Sequence, residues 1–103
     1  MPRTLPPLNA LRTFEAAARH GSYVGAAAEL HVTPAAINQQ VSSLERYLSA
    51  RLFRRLPHGL RLTEQGRAYL PELSAGLDLL ASGTARLRVA GSLRRRRTSS
   101  ARR

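Results

Sequence analysis

The sequence predicts a mostly α-helical fold, a winged helix-turn-helix: a three-helix core and a β-hairpin wing, followed by a long linker helix. Three observations carry the prediction. Apolar residues recur at helical spacing in three consecutive segments before residue 50. Two short alternating runs then flank a Pro-His-Gly cluster. Finally, a leucine series with 3-4 spacing extends beyond residue 64.

The first helix begins at Leu8, after a lead-in with three prolines, and Pro7 suits its start. Leu8, Leu11, Phe14 and Ala18 mark its apolar side, and Gly21 supplies the stop. Ser22 caps a short second helix running to about Leu30, with Val24, Ala27, Ala28 and Leu30 as its expected apolar side. The Ala26-Ala27-Ala28 run lets another helix axis come close. The third helix spans 34–48. Thr33 is its N-cap and Pro34 occupies the first helical position, where a missing N–H costs nothing. Val32 and Ile37 have the spacing of a hydrophobic staple, while Ala36 stands where a capping box would need Glu or Gln.

The hairpin comprises 51–56 and 60–63, turned at Pro57-His58-Gly59. Thr63 then caps the fourth helix, with Glu64 near the positive end of its dipole. Pro71 is expected to kink this helix, and Gly76 and Gly83 to weaken it. The expected division is a DNA-binding domain over 1–62, a linker and dimerisation helix over 63–90, and a disordered Arg-rich tail over 91–103.

Charge narrows the partner. All seventeen basic side chains are arginine, against six acidic ones, for a net charge of +11. Six of those arginines fall in the last ten residues, so residues 1–93 carry +5. A polyanion is the natural partner of such a balance, and double-stranded DNA the first choice. The chain has no cysteine, which excludes disulfides, thiolate metal sites and a cysteine nucleophile. His20, His31 and His58 are scattered, so no metal and no cofactor are expected. No paired carboxylates, nucleophile–base set or phosphate-cradling glycine loop stands out, and an enzyme is not expected. No stretch approaches the roughly 20 apolar residues of a membrane span, and the first residues lack a signal-peptide pattern. The expected location is cytoplasmic and nucleoid-associated.

The third helix is the most informative segment. Ile37, Val41, Leu44 and Leu48 form one face, and Ala35, Asn38, Gln39 and Ser42 the other. That second face is polar, short and uncharged, where solvated helices usually carry Lys and Glu. In a helix-turn-helix the second helix of the motif enters the major groove and presents its early residues to base edges. Asn and Gln can donate and accept at once, as an adenine edge requires. Serine hydroxyls serve bases or phosphates, and Ala35 allows close approach or contact with a thymine methyl.

The segments "LRTFEAAARHGS", "AAAELHVTPAAI", "QVSSLE", "LFRR" and "LTEQG" together resemble the LysR-type transcriptional regulators over roughly residues 7–90. The glycine-cleavage-regulator branch is the most similar, through "VTPAAI" and "LFRRLPHGLRLTEQGRAYLP". The resemblance implies a sequence-specific regulator that binds an interrupted palindrome as a homodimer. It places Thr33, Pro34, Ala35, Asn38, Gln39 and Ser42 on the recognition helix. It gives Arg54, Arg55 and Arg61 to the wing and its phosphate contacts, and Ser22 to a phosphate contact at the second helix. Leu70, Leu73, Leu77, Leu80 and Leu87, interrupted by Thr84, form the expected dimer seam, with cover over the three-helix core as the alternative reading. Asn38 stands where the family usually has Ser, and Gln39 where Arg or His is common. Family members continue into an effector-binding domain. Here "LRRRRTSSARR" follows "RLRVAGS", the look of a truncated or frame-shifted member, so no small-molecule effector site is expected. Two further readings accompany this one: a dominant-negative dimerisation partner of full-length relatives, and a nonspecific nucleoid-type DNA binder.

Overall fold

The computed structural model describes residues 4–101, with side chains as far as Ser92. Its elements follow the order α1 (Leu8–His20), α2 (Tyr23–Leu30), α3 (Pro34–Leu48), β1 (Phe53–Leu56), β2 (Gly59–Leu62) and α4 (Glu64–Ala101). The capping residues act as their chemistry dictates. Gly21 ends α1 in the left-handed region at φ 62°. The Ser22 hydroxyl accepts from the Gly25 N–H at 3.0 Å, and the Thr33 hydroxyl accepts from the Ala36 N–H at 3.1 Å.

The core lies where α1, α2 and α3 meet and is closed below by the wing and the first turns of α4. Ala10, Leu11, Phe14, Ala16 and Ala17 of α1 pack against Ile37, Val41 and Leu44 of α3, with Ala26 and Ala27 of α2 between them. Phe14, fully buried, is the hub. Its ring lies 5.2 Å from that of Phe53 in β1 and 6.1 Å from that of Tyr69 in α4. One aromatic side chain thus joins three elements far apart in sequence.

The apolar side expected for α2 needs correcting. Val24 is 69% exposed and Ala28 is also exposed, while Ala26 and Ala27 are buried. The helix turns its smallest side chains inward because α1 and α3 leave no room for a valine. Leu8 of α1 is likewise exposed, and Ala10 is buried in its place.

β1 and β2 pair antiparallel in the register Phe53↔Leu62, Arg54↔Arg61, Arg55↔Leu60 and Leu56↔Gly59. The wing is fixed to the helices at two points. The Glu45 carboxylate of α3 accepts from the Leu52 N–H at 2.7 Å and the Phe53 N–H at 3.4 Å. The Leu60 N–H donates to the Gly21 carbonyl at 2.9 Å. Gly59 is required beside that second point. It has φ 135°, and a Cβ there would stand 2.7 Å from the Gly21 oxygen.

α4 passes through Pro71, Gly76 and Gly83 and continues to Ala101. The segment 91–101, expected to be disordered, is helical, and residues 102–103 of that expected tail lie outside the described residues. Ala, Leu and Arg are all strong helix formers, and a helix needs no apolar period to satisfy its own backbone. The expected dimer seam also divides. Leu73 belongs to this chain's own core, with Leu70 and Leu77 packed against it. Leu80 and Leu87 are 57% and 68% exposed.

An ionic cluster ties α1 to α2 on the surface. The Arg19 guanidinium donates to both Glu15 and Glu29, and the His20 ring meets Glu29 at 2.8 Å. Hydrogen bonds from Arg19, then from His20, lower the Glu29 carboxyl to about 2 from its ordinary 4.5. Hydrogen bonds to Glu29 and then to Glu15 raise Arg19 further above its already high value. A depressed carboxylate stabilises the fold above its unfolded value and loses that contribution as pH falls through its folded one. Glu29→Gln is therefore expected to lower the urea midpoint near neutrality, by a small amount for so exposed a group. The gap to wild type should close between pH 4.5 and about 2. A gap independent of pH would contradict the assignment.

Candidate nucleic-acid interface

Sequence positions the interface through one tight turn. His31 closes α2 in the left-handed region at φ 58°, and its N–H donates to the Ala27 carbonyl. A non-glycine residue there costs on the order of 1–2 kcal/mol, which the flanking helices enforce. After Val32, Thr33 starts α3. Ile37, Val41 and Leu44 are buried, so helical geometry turns the opposite side out. Thr33, Pro34, Ala35 and Gln39 are exposed, and Asn38 and Ser42 are half-buried. The residues expected to contact DNA thus form one continuous face. Both cap hydroxyls, Ser22 and Thr33, accept from backbone N–H groups and keep their own protons to donate outward.

The three wing arginines do not act alike. Strand alternation puts Arg54 on the face away from the helices, directly across from Arg61. Like charges at opposed positions repel and destabilise a hairpin. Arg54, Arg61 and Arg67 border one shallow concavity, with Glu64 as its acidic member. The pair is a cost to folding that a bound polyanion would turn to advantage.

Arg55 instead shares the inner face with Phe53. Its guanidinium lies 5.5 Å from the Tyr23 ring centroid and donates a hydrogen bond to the Asn38 side-chain oxygen. Burial raises the Tyr23 hydroxyl above its ordinary value, opposed by Arg55. The neutral phenol ring then offers its face to the cation. Tyr23 also meets Phe53 edge-on at 6.2 Å. Arg55 thereby links wing, α2 and recognition face.

Sequence reasoning did not single out Tyr23 or Glu45 for these roles. The alternation in "FRRL" carries a signal that Arg54 and Arg55 diverge. The meeting of Arg55 with Asn38, seventeen residues apart, has no local signal.

Among the described residues no group of His, Asp and Glu could hold a metal ion, and no helix is long and apolar enough to cross a membrane.

Comparison with known proteins completes the description. Residues 8–67 match the family described as bacterial regulatory helix-turn-helix protein, lysR family. The glycine cleavage system transcriptional activator of Escherichia coli K12 is 48% identical over 89 residues, covering 86% of this chain. The HTH-type transcriptional activator AmpR of Providencia stuartii is 57% identical over 76 residues, covering 74%. This chain spans 29% and 26% of the length of those two relatives. Among solved structures, the complex of the CbnR DNA-binding domain with DNA aligns with a TM-score of 0.74 at 32% identity. That alignment covers 84% of this chain and 99% of the other. A Corynebacterium glutamicum OxyR C206 mutant aligns at 0.79 with 27% identity, over 86% and 29% of the two chains.

Proposed function

The chain belongs to the lysR family of bacterial regulatory helix-turn-helix proteins, and on that premise we propose that it binds double-stranded DNA sequence-specifically to regulate transcription. One observation carries the proposal: an exposed, uncharged polar face on α3 stands beside an opposed arginine pair on the wing. α3 enters the major groove, where Ala35, Asn38, Gln39 and Ser42 meet base edges. Arg54 and Arg61 lie along the phosphates, with Ser22, Thr33 and the Pro34 turn at the flanking backbone. The role is binding rather than catalysis, in the cytoplasm, where bacterial DNA lies.

A second copy completes the reader. Past Leu77, α4 carries exposed Leu80 and Leu87, and Leu80 borders a groove shared with Leu8 and Arg12 of α1. An apolar stripe on a helix needs a partner helix, and a two-fold dimer reads an interrupted palindrome. The same stripe supports the second reading, in which the chain pairs with full-length relatives and removes them from their operators.

Phosphate contacts are tested by salt. Each one lost should flatten the dependence of log affinity on log salt by about 0.9. Arg54→Ala with Arg61→Ala is expected to reduce that slope by about 2 and to weaken all duplexes alike. Titrations of a cognate and an unrelated duplex, each at several salt concentrations, check this. An unchanged slope would remove the wing from the interface.

A further inference from the structure

We propose that Arg55 is a positioning residue that sets which base Asn38 reads, making Asn38 a hydrogen-bond donor toward guanine rather than a two-way partner for adenine. The inference rests on the DNA-reading role given above for α3.

The argument begins with the chemistry of the pair. Asn carries one accepting oxygen and one amino group with two donors, and Arg has donors only. Wherever a guanidinium meets a carboxamide, the oxygen must face it. Asn38 does so here, with its oxygen accepting from the Arg55 guanidinium. That contact fixes the amide orientation and leaves the Asn38 amino group to face outward.

The guanidinium is itself held. It belongs to β1, whose N-terminal end is tied to α3 by Glu45 and whose partner strand is tied to the α1–α2 turn through Leu60. Its central carbon lies over the Tyr23 ring, 5.5 Å from the centroid, and Tyr23 packs in turn on Phe53. Arg55 therefore reaches Asn38 from a supported strand, with the Tyr23 ring beneath its guanidinium.

Two base edges now differ. Adenine presents an N7 acceptor and an N6 amino donor in the major groove, and a free Asn pairs with both. At Asn38 the guanidinium already takes one of the oxygen's two lone pairs, so adenine's amino group would have to approach that oxygen beside a cation. Guanine presents N7 and O6, both acceptors. Those suit the two N–H donors of the Asn38 amino group. The adenine-type pairing expected from residue type alone thus gives way, at this position, to an acceptor-seeking one. Gln39, one residue on and exposed, has no such partner among the described hydrogen bonds and keeps both modes.

The test uses the full chain and a selected high-affinity duplex in which each base pair of a half-site is replaced in turn. Wild type is expected to prefer guanine over adenine at one position by on the order of tenfold. Asn38→Ala should flatten that position and spare the others. Arg55→Ala should act at the same position, abolishing the guanine preference or turning it toward adenine. The double variant should match Asn38→Ala alone there, because the second change removes nothing further. Arg55 is exposed, and circular dichroism of each variant checks that the fold is kept.

If Arg55→Ala weakened every duplex equally and left the guanine preference intact, Arg55 would be a phosphate contact only and the proposal would fail. Additive effects of the two changes at that position would defeat it equally. A wild-type chain with no base preference anywhere would overturn both this inference and the sequence-reading role beneath it.

Discussion

Asn38→Ala combined with Gln39→Ala is expected to abolish most discrimination between a cognate duplex and random DNA while leaving affinity for random DNA nearly intact. The reason is a division of labour. Phosphate contacts supply most nonspecific affinity and carry no sequence information, whereas base edges supply the difference. Each well-formed base contact is worth about 1–3 kcal/mol of discrimination, so the pair accounts for about 2–6 kcal/mol. Neither substitution should unfold the chain, since Gln39 is exposed and Asn38, half-buried at the flank of the buried face, gives up one exposed hydrogen bond to Arg55. Alanine is also the better helix former. The measurement is the ratio of dissociation constants for the two duplexes at fixed salt. An equal loss on both would mean that these side chains read no bases.

Gly66→Ala is expected to destabilise the chain by about 3 kcal/mol or more, at or beyond the upper end of overpacking costs. Gly66 is the third residue of α4, at the junction with the wing. A Cβ there would stand 2.4 Å from the Leu52 carbonyl oxygen and 3.0 Å from the Leu62 side chain. The Leu52 oxygen cannot retreat freely, because it accepts from the Thr63 N–H at 3.0 Å. Thr63 adds further constraint. Its hydroxyl donates to the Arg51 carbonyl and accepts from the Gly66 N–H. Helix propensity alone would favour alanine by about 1 kcal/mol. Gly76→Ala provides the control in the same helix. Nothing lies within 4 Å of a Cβ there, and a gain of about 0.5–1 kcal/mol is expected. Denaturant midpoints of the two variants should move in opposite directions. Equal midpoints would show that the junction yields.

These cases mark what could be read from residues alone. Helix boundaries were legible because their caps are local: Gly21, Ser22, Thr33 and Pro34 act within a few residues of their own backbone. The polar face of α3 was legible because helical periodicity sorts residues by side without reference to any other element. The inner face of α2 was not. In an alanine-rich helix the apolar pattern is nearly degenerate, and the space between α1 and α3 decides that Ala26 and Ala27 go in while Val24 stays out.

The leucines of α4 show a related limit. Spacing reveals a stripe but not what covers it, and the first part of the stripe is covered by this chain's own core. Helix beyond Gly91 was missed because absence of an apolar pattern was read as absence of structure. The family resemblance groups Arg55 with Arg54 and Arg61 on the wing. Only the hairpin register and its approach to α3 separate an arginine that faces outward from one that holds a neighbouring side chain.

That the exposed face of α3 reads DNA sequence is tested most directly by selection from a pool of randomised duplexes at physiological salt, using the wild-type chain. The expected result is convergence on a short motif, recovered as two inverted half-sites if α4 pairs two copies. A bound fraction as random in sequence as the starting pool, with affinity set by salt alone, would contradict the account.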